Sequence, residues 1–141
     1  MTDKSEESAQ RRADRAERLE EQARAKRHRS ERESAEAQQL IDRFVARARE
    51  AGLATEELTA RPWSGRGRYR TGIEGWYLRK DHSIGVGLDG RYYLLATPPV
   101  RLGRWRTVPV EPTPPTLEVG RGARDGESID LKDLLELRLR W

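Results

Sequence analysis

The chain has no cysteine, two histidines, one phenylalanine and neither glycine nor proline before Gly52. Each shortage excludes something. Without thiols there is no disulfide, no thiolate nucleophile and no zinc site built on cysteine. A nucleophile–histidine–acid relay would have to use His28, in a charged segment, or His82, in a turn beside Asp81. Neither is a rigid, buried setting. No apolar run approaches the roughly 18 residues of a membrane span. The first thirty residues are charged rather than apolar, which reads against a secretory signal. The expectation is a cytoplasmic protein without membrane contact. No metal-ligand spacing is present, and the acid pairs Asp125/Glu127 and Asp130/Asp133 stand beside a helix start, where capping accounts for them. No catalytic residue, metal or cofactor is therefore expected, and the chain does not read as an enzyme.

What is present is charge. Of 141 residues, 37% are charged and 35% apolar, so part of the chain should lie outside any core. That part is the N-terminus, where Leu19 is the one large apolar residue between Met1 and Gln38. Residues 1–37 read as a solvent-exposed helical arm and 38–141 as the single domain that folds. The first 38 residues carry ten basic and ten acidic side chains, so the net charge of +4 belongs to the remainder. Arginine outnumbers lysine 24 to 4. Codon usage makes that typical of a GC-rich bacterial genome, so arginine abundance alone says little about partners.

Residues up to Ala51 are mostly Ala, Glu, Arg and Gln, good helix formers. Opposite charges recur four apart, as in Glu7/Arg11 and Glu20/Arg24, each pair adding about 0.2–0.5 kcal/mol. From Leu40 an apolar stripe begins, Leu40, Ile41, Phe44, Val45 and Ala48, and Gly52 follows as a C-terminal cap.

After Ile73 the period changes to that of strands. "IEGWYLRK", "SIGVGL" and "RYYLLAT" read as an antiparallel meander, with two-residue turns at Asp81-His82 and Asp89-Gly90. That register puts Tyr77, Ile84, Val86, Tyr93 and Leu95 on one face. It puts Gly85 and Gly87 on the other, between Trp76 and Tyr92, a candidate groove with aromatic walls if nothing else fills it. Gly85, Gly87 and Gly90 also spell G-x-G-x-x-G, but no helix follows, so the dinucleotide reading fails. A fourth strand is expected over residues 105–110, at an edge because of Pro109. "PVEPTPP" reads as an ordered extended connector. A last helix, with Asp130 as N-cap and Leu131, Leu134, Leu135, Leu137 and Trp141 as its apolar face, should cover one sheet face, residues 38–51 taking the other face or the edge. The fold class is α+β, a long charged helix leading into a meander of three to four strands packed with a C-terminal helix.

Three loops combine glycine with arginine: "RPWSGRGRYR" from Arg61, "RLGRWR" from Arg101 and "GRGAR" from Gly120. Arginine pairs bidentately with phosphate and aromatic rings stack on bases. Arg61, Arg66, Arg68, Arg70, Arg104, Arg106, Arg121 and Arg124 are thus candidate polyanion-binding residues, provided the loops meet. In the first loop, Trp63 and Tyr69 are expected to fold back onto the core. Two functions follow. The leading one is a non-catalytic interaction protein that contacts a protein partner through its N-terminal helix. The alternative is a nucleic-acid or ribosome-associated module that holds RNA or DNA on the loops.

Overall fold

The computed structural model describes residues 3–120 and 128–141. The chain is α+β, and its described residues form two α-helices, a five-stranded sheet that is mainly antiparallel and a separate two-stranded hairpin. Helix α1 runs Asp3–Glu50, and by its internal contacts the chain divides after Glu33. In the first unit, residues 3–32 are all exposed. The helix there is supported along its surface, with Glu7–Arg11 at 3.5 Å, Glu20–Arg24 at 3.9 Å and Gln10 Nε2 donating to Asp14 at 3.0 Å.

In the second unit, Ser34–Trp141, α1 acquires a buried face made of Ala37, Ile41, Phe44, Val45 and Ala48. Its end is a Schellman motif. The Leu53 N–H donates to Ala48 O at 2.9 Å and the Gly52 N–H to Arg49 O at 3.1 Å. Gly52 sits at φ +65°, which is why glycine stands there. The cap turns the chain into β1, Glu56–Pro62, a strand the sequence reading did not anticipate.

Strands β2 (Tyr69–Tyr77), β3 (Ile84–Gly87), β4 (Tyr92–Leu94) and β5 (Ala96–Thr97) complete the sheet in the order β4-β3-β2-β1-β5. Only Leu95 separates β4 from β5, yet they stand at opposite ends of that order. The sheet therefore rolls up, and the β4–β5 segment touches both β3 and β1. Leu95 makes the join, its N–H donating to Ser83 O and its carbonyl accepting from Arg61 N–H, both at 2.9 Å. A bulge helps β2 bend. Leu58 faces Ile73 while Thr59 faces Arg70, so Thr71 and Gly72 are extra on β2.

The register differs from the expected one by a single residue at both turns. Trp76 faces Val86 and Tyr77 faces Gly85; Val86 in turn faces Tyr92, and Gly85 faces Tyr93. Each turn is longer than two residues. Gly87 N–H bonds Arg91 O around Leu88, Asp89 and Gly90, with Gly90 at φ +85°. Leu78 N–H bonds Ile84 O around a loop in which His82 takes φ +61°. A one-residue slip exchanges faces, so β3 is inverted relative to both neighbours. Trp76 and Tyr92 share a face with Ile84 and Val86, whereas Gly85 and Gly87 share the other with Tyr77 and Tyr93.

The inner face of the roll holds Leu58, Ala60, Tyr77, Tyr93 and Leu95. Its radius explains Gly85. A Cβ on Gly85 would stand 2.8 Å from Leu58 Cδ1 and 3.2 Å from Leu95 Cδ1. The expected groove is thus filled by side chains from the strands across the roll.

The outer face carries the main core, where Trp76, Leu78, Ile84, Val86 and Tyr92 meet α1 and helix α2, Leu131–Leu139. Both helices lie on this one face, whereas residues 38–51 were expected on the other face or at the edge. With the inner face closed by the rolled sheet, only the outer one is left to cover. Phe44 meets Trp76 edge to face at 6.0 Å and 84°, and the Trp76 indole N–H donates to Leu53 O at 3.2 Å. Burial pushes the Tyr92 hydroxyl up to about 12, against a smaller opposing effect of Arg79. Between the helices Arg47 pairs with Glu136 at 2.6 Å, a hydrogen bond that holds the Glu136 carboxyl below the usual range.

The C-terminal third departs most from expectation. Residues 105–110 form no strand: Gly103–Trp105 is a 3-10 turn and the following connector has no regular secondary structure. That connector is ordered by bonds to the roll, from Val108 N–H to Arg70 O at 2.7 Å and from Thr113 N–H to Tyr92 O at 2.8 Å. Strands β6 (Glu118–Gly120) and β7 (Ser128–Asp130) form the separate hairpin. Asp130 occupies the N-cap position of α2 but its side chain makes no capping bond. The buried face of α2 is Leu131, Leu134, Leu135 and Arg138, at i, i+3, i+4 and i+7. Leu137 and Trp141, expected in the core, are 48% and 47% exposed. Arg138 takes the inward place because it has a fixed acceptor, Tyr77 O at 2.5 Å from its Nε. Burial lowers its pKa from the ordinary arginine value, and Glu56 opposes that.

Candidate nucleic-acid interface

Two of the three arginine-rich loops meet, and the reason is the one parallel pairing in the sheet. Arg61 faces Ala96 and Pro62 faces Thr97 with β1 and β5 running the same way. Both strands therefore end side by side, and the segments that follow them leave from the same end of the roll. Trp63 N–H extends the pairing with a bond to Thr97 O at 2.9 Å. Tyr69, the first residue of β2, ties the segments together. Its hydroxyl accepts from Val100 N–H at 3.2 Å and donates to Val100 O at 3.4 Å. Gly103 lies flat against the Tyr69 ring, where a Cβ would come within 2.6 Å of Cε1. Leu102, at φ +60°, supplies the reversal that brings Gly103 there.

The result is an open cleft of about 350 Å³ between residues 62–69 and 100–105. Its basic lining is Arg66 and Arg104, and its aromatic lining Tyr69 and Trp105. Trp105 is 82% exposed and Trp63, on the adjoining loop, 72%. The expectation that Trp63 folds onto the core is therefore corrected, while Tyr69 does so at 7%. The backbone of β1 sends successive side chains to opposite sides, and the bond to Thr97 fixes Trp63 as the next position outward from buried Pro62.

The candidate arginines divide into three groups. Arg61, Arg66, Arg104 and Arg106 are exposed, and none is in an ion pair with another described residue. Arg68 and Arg70 are already engaged. The Arg68 guanidinium turns inward, donating from Nε to Thr59 Oγ1 at 2.5 Å and from Nη2 to Thr59 O at 2.5 Å and His82 O at 2.8 Å. Arg70 makes a two-pronged pair with Glu57 at 2.8 and 3.0 Å, which holds the Glu57 carboxyl below its ordinary range. Arg121 and Arg124 lie outside the described residues. Of the second candidate set, Trp76 is 1% and Tyr92 4% exposed on the outer face, and Gly85 and Gly87 are buried on the inner one. The structure does not bring those four together.

Sequence reasoning undervalued Trp63 and Trp105. The available signal was their position beside Gly65 and Gly103 in loops rather than in periodic segments. It could not have identified Tyr69 as the tie, because that role depends on a loop about thirty residues away.

His82 stacks on Tyr77 at 3.8 Å and 3°, and among the described residues no acid completes a relay with it. Among the described residues no group of three or more His, Asp or Glu side chains could hold a metal ion, and no helix is long and apolar enough to cross a membrane. Comparison with protein families, with curated proteins and with solved structures finds no match to this chain.

Proposed function

We propose that the chain is a non-catalytic binding module for single-stranded nucleic acid, held in the cleft between the two loops. The observation that carries this reading is the convergence of Arg66 and Arg104, in no ion pair among the described residues, with outward Trp105 in the cleft that Tyr69 ties together, Trp63 standing exposed on the adjoining loop. Arg66 and Arg104 face phosphate, which guanidinium binds in two-pronged fashion. Trp105 and Trp63 offer flat apolar surface to unpaired bases, each stack contributing about 1–3 kcal/mol. Single strands fit better than duplex, whose bases are already stacked and whose grooves need an inserted helix or ribbon. Among the described residues that line the cleft there is no such element.

The test is binding of a fluorescent oligouridylate across about 50 to 200 mM salt. Wild type should bind with a steep negative salt slope. The double variant Arg66→Ala, Arg104→Ala should lose about tenfold or more in affinity and flatten that slope by about 1.4, since each released single-strand contact counts about 0.7. No binding by wild type at the low-salt end rejects the proposal.

A second reading rests on α1. Its first thirty described residues bury nothing within the chain, while their charged surface, with ten basic and eight acidic side chains intermingled, suits a protein partner better than a polyanion. A chain starting at Ser34 keeps its own core and should melt as the full chain does, yet fail to retain that partner in a pull-down. Equal retention by both chains rejects the arm.

A further inference from the structure

A second cavity, about 450 Å³, opens beside the C-terminal end of α2 and shares no residue with the loop cleft. Its apolar floor comes from Leu78 and Leu134, both buried, and from Ile129. Leu137 and Trp141 form its walls, each about half exposed. Lys80 and Arg140 stand on its rim.

Two features separate this cavity from an ordinary surface crease. The first is that its aromatic wall is held in place. Arg138, anchored on Tyr77 O, places its guanidinium carbon 4.1 Å from the centre of the Trp141 ring, and Lys80 Nζ stands 5.9 Å from it. The second is its charge. Lys80 and Arg140 are in no ion pair among the described residues. The acids on neighbouring positions are occupied, Asp81 by Ser83 and Arg79 and Glu136 by Arg47. An apolar floor under a rim of two cations in no direct ion pair among the described residues calls for an apolar body with one anionic group, and the volume is that of a small-molecule site. A nucleic-acid strand fits poorly, because its charges repeat along the chain and this rim is confined to one mouth.

We infer that this cavity binds a small amphipathic carboxylate whose flat apolar body lies against Trp141 while its carboxylate meets Lys80 and Arg140. The probe is 2-naphthoate, followed by NMR through the four tryptophan indole N–H signals, with Trp141→Phe assigning the relevant one. Saturable shifts of the Trp141 signal are expected, with a Kd of about 1 mM or below for a ligand of this size. The exposed double variant Lys80→Ala, Arg140→Ala should raise that Kd about tenfold, with its thermal melt checked against wild type. Neutral 2-naphthalenemethanol should bind wild type and variant alike, and more weakly than the carboxylate binds wild type. Three results each overturn the inference: no saturable shift up to about 10 mM, equal affinity for the neutral analogue, or shifts confined to Trp63 and Trp105.

Discussion

Alanine at Gly75 should unfold the domain or come close to it. The added Cβ would stand 2.0 Å from Val86 O, 2.8 Å from Gly87 Cα and 2.9 Å from Val86 C. All three are backbone atoms of β3, the strand Gly75 pairs with, so no rotamer change relieves the clash. Gly75 also faces Glu56 of β1, and displacement to either side breaks a ladder. Overpacking against a fixed backbone costs on the order of 3 kcal/mol or more. Against a typical reserve of about 5–15 kcal/mol, that lowers the melting temperature by roughly 15 °C or removes the transition. Gly65→Ala is the informative control. Its Cβ meets nothing within 4 Å, but its φ of +94° is one that alanine rarely adopts, and the cost should be about 1 kcal/mol. Urea melts followed by circular dichroism compare the two. Gly75→Ala unfolding within about 1 kcal/mol of wild type would falsify the β2–β3 pairing.

Valine at Gly103 should abolish most nucleic-acid binding while leaving the main core intact. Its Cβ would come within 2.6 to 2.9 Å of three carbons of the Tyr69 ring. Tyr69 is buried and tied by its hydroxyl to Val100, so the loop rather than the ring has to yield. Moving that loop carries Arg104 and Trp105 away from Arg66, with no charge altered. Losing one stacking surface and its geometry predicts a fall of ~5- to 150-fold in oligouridylate affinity. None of the residues joining α1 and α2 to the sheet is involved, so the melting temperature should change little. Unchanged affinity in a folded Gly103→Val chain would show that the cleft is not where the strand lies, even if the arginines matter.

The parts of this fold that were legible in the sequence are those governed by neighbours along the chain. The helix, its Gly52 cap and the position of the Asp89-Gly90 turn all follow from local chemistry. The turn's length did not. Glycine at positive φ serves a three-residue loop as well as a two-residue one, and the one-residue difference inverted β3. Strand β1 was missed because its inward positions are Leu58, Ala60 and Pro62, and only one of these is large. The candidate site was legible only as composition. Arg66 and Arg68 stand two residues apart in the same loop, yet one lines the cleft and the other is spent on Thr59 and His82. No local pattern separates them, since the difference lies in whether a backbone acceptor is within reach.

Joining the sheet at Leu95 also limits how a partner can be recognised. An open sheet can capture an extended peptide by backbone pairing along a free rim. Here the rims are taken. Arg61 and Trp63 bond to Leu95 and Thr97, the outward Thr59 N–H donates to the Tyr77 hydroxyl, Thr59 O accepts from Arg68, and Tyr92 O accepts from Thr113. Strand addition, which tolerates almost any sequence in the incoming chain, is closed to this sheet at those positions. A partner met at those positions has to be held by side chains, so selectivity there can be altered by loop substitutions without disturbing the hydrogen-bonded ladder beneath.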